Sequence, residues 1–198
     1  MNKAKVVLIL FTVLVLVSAG SFYKQTPASA QGDSLEATAE YFLKIDDIEG
    51  EATQEGHAGE IEISSFRWGE SRTVESPSAG SRPAVGATTE RVAMEDFFFS
   101  APVSKASPKL MQSVADGSHF DEAVFTVRHN VEDKPVVMEI KLQDVSITSY
   151  HVSGVSERPI DDFSLDFGKI TYTYTFYKDD GTVDGTIVGS WDLNSNTP

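Results

Sequence analysis

The sequence predicts a mainly β protein, an antiparallel β-barrel carrying one short side helix, and three observations lead there. Runs rich in β-branched and aromatic residues recur from residue 41 onward, each bounded by Gly, Pro, Asp or Ser, the punctuation of strands. Two later runs switch the parity of their apolar residues midway, as strands do when an extra residue bends them round a barrel corner. Only one segment, 107–117, carries helix signals.

The first thirty residues stand apart. MNKAK supplies a basic start, the run 6–20 is apolar and uncharged, and Ala28 and Ala30 offer the small side chains that signal peptidase requires. The apolar run is too short for an ordinary membrane-spanning helix. Residues 1–30 therefore read as a signal peptide cleaved after Ala30, with an uncleaved N-terminal anchor as the alternative, and the body is placed outside the cytoplasm. The 168 residues that remain make one domain: a flexible lead at 31–39, a barrel at 40–193 and a tail at 194–198. The removed segment holds three lysines and no acid, so the formal charge moves from -14 to -17, with 13 basic residues against 30 acidic ones. A surface of that sign repels phosphates and anionic headgroups, which excludes nucleic acid and, after cleavage, membrane surfaces as partners. No cysteine is present, so packing, pairing or oligomerisation must supply the stability.

The strands are taken in order. YFLKI (41–45), EIEISSFRWG (60–69), RVAMEDFFF (91–99) and EAVFTVRH (122–129) each predict one strand. Met138, Ile140 and Leu142 are apolar at even positions, whereas Val145 and Ile147 continue at odd ones. In the last long run Phe163, Leu165 and Phe167 give way to Ile170, Tyr172, Tyr174 and Phe176. One extra residue per strand restores a single buried face. In the helix, Ser107 is expected to cap, Pro108 suits the first turn, Gly117 suits a left-handed exit, and Leu110, Met111 and Val114 form the apolar stripe. The stretch 70–90 is rich in Ser, Gly, Pro and Ala without periodicity. A loop that long is usually functional or disordered, and it is marked as a contact element with Glu70, Arg72, Arg82 and Glu90 as candidate subunit contacts.

Chemistry has little foothold. His57, His119, His129 and His151 are dispersed and lack a second ligand at metal spacing, and no framed nucleophile is present, so no catalytic residue, metal or cofactor is expected. KDDGTVDG, from Lys178, departs from the twelve-residue calcium loop and predicts a hairpin turn at Asp180-Gly181. Trp68 and Trp191 are read as core or subunit-contact residues, with a ligand platform as the alternative.

In order, these segments resemble the Hcp family, the haemolysin-coregulated tube protein of type VI secretion. The resemblance is carried by YFLKIDDIEGEAT with HAGEIEISSFRWG, by SPKLMQSVADGSHFDEAVFTVRH, by MEIKLQDVSITSYHVSG with PIDDFSLDFGKITYTYTFYKDDG, and by the closing GSWDL, over residues 40–193. It implies an Hcp-like barrel, a non-catalytic structural role, six copies in a ring, rings stacked into a tube whose lumen holds secreted cargo, and an extended loop at 70–90 that touches neighbouring subunits. Family members leave the cell through the secretion machine itself, whereas this chain opens with an export signal. A monomeric extracellular binding module on the same barrel is the rival reading.

Overall fold

The computed structural model describes residues 39–71, 92–129, 135–154 and 158–198. Ala28 and Ala30 of the signal, and Arg72, Arg82 and Glu90 of the long loop, lie outside them. The strands are β1 (Ala39–Ile45), β2 (Ile61–Ile63), β3 (Ser65–Arg67), β4 (Glu70–Ser71), β5 (Ala93–Met94), β6 (Phe97–Pro102), β7 (His119–His129), β8 (Val136–Ser153), β9 (Ile160–Tyr177) and β10 (Val183–Asp192). The helix, α1 (Ser107–Asp116), joins β6 to β7.

Every pairing is antiparallel, and the main sheet runs β2-β1-β7-β8-β9-β6-β3. Its two ends are consecutive pieces of one bent strand. β2 pairs with β1, β3 pairs with β6, and Ser64 between them donates its N–H to the carbonyl of Ser100 at 2.8 Å. The sheet therefore returns on itself as a nearly closed barrel, which removes most of its free edges. β10 pairs only with the second half of β9 and stands outside that circuit.

The interior is aromatic. Phe97 stacks on Phe99 at 4.5 Å and meets Phe125 edge-on at 5.5 Å, while Phe163 lies against Phe99 at 5.6 Å. Leu43, Leu142, Val145 and Leu165 fill the space around them.

The parity switches have the expected cause, at one place on both strands. Leu142 and Val145 of β8 are both fully buried, and Phe167 and Ile170 of β9 are buried too. Between them Asp144 adopts φ +57° beside Gly168, and the pairing continues unshifted from Leu142–Ile170 to Val145–Phe167. One extra residue on each strand turns both without changing register. A true bulge follows at Thr148, where the register shifts, and its hydroxyl donates to Asp96 Oδ2 at 2.5 Å.

Two sequence expectations need correction. RVAMEDFFF is not one strand: Glu95 and Asp96 interrupt it, leaving β5 and β6 in different sheets. Ser107 does not cap α1. Ala106 occupies that position, and Ser107 turns inward to donate its hydroxyl to Asp161, a carboxylate only 1% exposed that needs donors more than the helix end does. The buried face of α1 is consequently Ser107, Leu110 and Ser113, with Met111 53% exposed and Val114 also in solvent. Small serines allow the helix to sit close to the sheet. Gly117 ends the helix as expected, at φ +70° with its N–H on the carbonyl of Ser113.

Candidate functional site

β9 and β10 form a ribbon whose surfaces follow from the TYTYT alternation. Ile170 is buried, but the same side of β9 continues outward through Tyr172 and Tyr174, the latter 47% exposed and paired with Ile187, itself 64% exposed. The opposite side presents Thr171, Thr173 and Thr175 beside Thr186 and Val188. Between Asp184 and Asp192 β10 carries no charge, and apart from the bridge of Asp192 to Thr197 its outer edge has no partner among the described residues. Long uncharged edges of this kind are templates for pairing with another chain.

The turn that connects the two strands is the predicted hairpin. Gly181 has φ +80°, and Asp180 Oδ1 accepts the N–H of Thr182 at 3.0 Å and its hydroxyl at 2.6 Å. The Thr182 hydroxyl holds the Asp180 carboxyl below its ordinary pKa. These local bonds account for Asp180 of KDDGTVDG.

Trp68 and Trp191, 123 positions apart in sequence, line one open cleft of about 580 Å³. Tyr172, Ile170 and Met94 complete its apolar walls. Glu70, in β4 and opposite Met94 of β5, supplies the one formal charge among the lining residues. Trp68 packs on Phe97 at 6.1 Å and Phe167 at 6.4 Å, and its indole nitrogen is buried with no hydrogen-bond partner among the described residues. Trp68 is thus a core residue and a cleft residue at once. Of the four charged residues expected to mark a contact loop, Glu70 alone falls among the described residues, and it lies on this cleft.

The histidines are separated, as the sequence implies. His57 sits in the β1–β2 connection, 8% exposed, stacked on Phe42 at 4.2 Å with its Nδ1 2.8 Å from Glu60. Arg128 covers the other part of Phe42, 4.8 Å from the ring centroid, and donates its Nε–H to Glu40 at 2.7 Å. That outer-face cluster holds the connection onto the barrel. His119 bonds Ser146 on the neighbouring strand, and His129 and His151 stand near strand ends. No group of three or more metal-ligating side chains is gathered among the described residues. Chelation is expected to leave the melting temperature unchanged; a drop reversed by calcium or zinc would overturn that expectation.

The fold and these features define a class: an antiparallel barrel whose distinctive parts are the exposed β9–β10 ribbon and an aromatic cleft at its root. The chain belongs to the Hcp family of type VI secretion. The family described as "Type VI secretion system effector, Hcp" matches residues 42–174, most of the stretch 40–193 that carries the resemblance. The chain is 29% identical over 159 residues to protein hcp1 of Pseudomonas aeruginosa, covering 78% of this chain and 95% of that protein. A solved type six secretion system protein superposes with a TM-score of 0.73 at 24% identity, over 81% of this chain and 99% of the other, a likeness of fold. Hcp1 from Salmonella typhimurium gives 0.64 at 25% identity, over 80% and 97%. No helix among the described residues is long and apolar enough to cross a membrane.

Proposed function

We propose that the chain is an exported structural member of its family that joins copies of itself into closed rings, six to a ring, which stack into tubes able to hold secreted protein. It performs no catalysis in this reading. The observation that carries the proposal is the β9–β10 ribbon, with Tyr174 and Ile187 exposed on one side, Val188 exposed on the other, and an uncharged edge between them. Head-to-tail contacts between identical subunits close into rings when the rotation per step divides the circle, so one such surface and its complement suffice. The loop 70–90, with Glu70, Arg72, Arg82 and Glu90, is assigned to a subunit or ring contact. Residues 1–30 are assigned to a signal removed after Ala30, so that the mature chain starts at Gln31.

Native mass measurement on exported protein tests both halves. A chain beginning at Gln31 and a mass of six subunits are expected. Association should tighten as salt rises to physiological strength, because each acidic subunit repels the next until the screening length falls to about 8 Å. Met1 retained in a membrane fraction would overturn the cleavage. A monomer at every salt concentration would refute the ring and favour the binding-module reading, for which the two-tryptophan cleft is the specific observation.

A further inference from the structure

Gly189 has no role that the described residues explain. It lies inside β10, paired with Tyr172, outside the left-handed region, and a Cβ built on it meets nothing within 4 Å. Gly185 in the same strand is different: its Cβ would fall 2.5 Å from Cζ of Phe176, so that ring requires it. A glycine inside a strand weakens it by about 0.5–1 kcal/mol relative to alanine, and one that relieves no internal clash commonly marks the close approach of a ligand or of another backbone. Gly189 lines the cleft of Trp68 and Trp191.

Three further observations define the occupant. The cleft has the volume of a binding pocket, about 580 Å³, with walls mainly aromatic and aliphatic. Among the described residues its lining includes Glu70 and no basic residue, on a chain of formal charge -14, which favours cations over anions. It adjoins the free edge of β10, where an extended peptide can pair by backbone hydrogen bonds while alternate side chains turn into the cleft.

We propose that the cleft and the outer edge of β10 together bind an extended polypeptide segment in which apolar side chains alternate with lysine or arginine. The apolar side chains enter between Trp68 and Trp191 over the bare floor at Gly189, and the basic ones lie towards Glu70. The β10 edge is also the surface proposed above for subunit contact, so the site is open on the unassembled chain, where the peptide and a neighbouring subunit exclude one another.

The chain's two tryptophans both line the cleft, so their fluorescence reports occupancy directly. The mature protein is titrated with acetyl-Lys-Leu-Lys-Leu-Lys-Leu-amide, with the Lys-Ser peptide of the same length, and with the Glu-Leu peptide. The Lys-Leu peptide should shift the emission and bind about tenfold more tightly than the Lys-Ser peptide, while the Glu-Leu peptide should not bind. Gly189→Val should weaken the Lys-Leu peptide about tenfold without lowering the melting temperature, since the valine fills open space in a strand. Glu70→Gln should narrow the gap between Lys-Leu and Glu-Leu peptides. Equal binding of Lys-Leu and Lys-Ser peptides, or an unaltered affinity in Gly189→Val, would overturn the site. Light scattering on the same samples reports assembly separately. Emission that shifts on dilution of the protein alone, with no peptide binding, would assign the cleft to a second copy and also sink the proposal. Peptide binding seen only after residues 72–91 are replaced by a Gly-Ser linker would make the chain's own segment the occupant and overturn the proposal equally.

Discussion

Replacing Phe97 by alanine is expected to lower the unfolding free energy by about 4 kcal/mol, the middle of the range for deleting a buried ring. Phe97 is fully buried, stacks on Phe99, meets Phe125 edge-on, and receives Trp68 from the cleft side. Alanine leaves a void bounded by rings held on separate elements of the chain, which cannot collapse together to fill it. For a domain of this size the melting temperature should fall on the order of 10 °C. Phe98 supplies the control from the next position of β6. It points outward, 36% exposed under the guanidinium of Arg67 at 4.7 Å, and its alanine variant should cost no more than about 1 kcal/mol. Paired thermal melts decide the matter. Equal losses at the two positions would mean that β6 does not face the core with Phe97.

That alternation is the kind of information a sequence displays well. Strand faces follow a period of two, so the parity switches at Asp144 and Gly168 are legible as a turn in both strands, and the structure places them opposite each other. Features that need a partner from far away are not legible. Phe42 is buried on the wrong parity for the barrel interior because His57 and Arg128 cover it from outside, and nothing local announces that a connection 46–60 folds back over β1. The inward face of α1 escapes the sequence for a related reason. Hydrophobicity favours Met111 and Val114, but the position of Asp161 in the sheet draws Ser107 inward and rotates the helix accordingly. The cleft shows both limits: Trp68 and Trp191 are conspicuous singly, and only the pairing of Trp191 with Ile170 brings them to one site.

Asp161 is where the second large effect is expected. Its Oδ1 accepts the hydroxyl of Tyr150 at 2.7 Å and its Oδ2 accepts that of Ser107, so one carboxylate joins β8, β9 and α1. Asp161→Ala strands two hydroxyls near the core and should destabilise the protein by about 3 kcal/mol. Asp161→Asn keeps an acceptor for Tyr150 and should cost less. Tyr150 provides a readout that bulk destabilisation does not mimic. Burial, and then the hydrogen bond to Asp161 and its negative charge, push the phenol from 10.0 up to about 12. A pKa raised by folding means that the native state holds the proton more tightly. The associated stability is complete below pH 10 and is lost as pH climbs from there towards 12. Tyr150→Phe should remove that alkaline decline. In Asp161→Asn the charge is gone, so tyrosine absorbance titration should show Tyr150 ionising at a lower pH than in the parent, still within folded protein. An Asp161→Ala variant that melts with the parent, together with an Asp161→Asn variant whose tyrosine titration is unmoved, would show that this carboxylate does not tie the helix to the barrel.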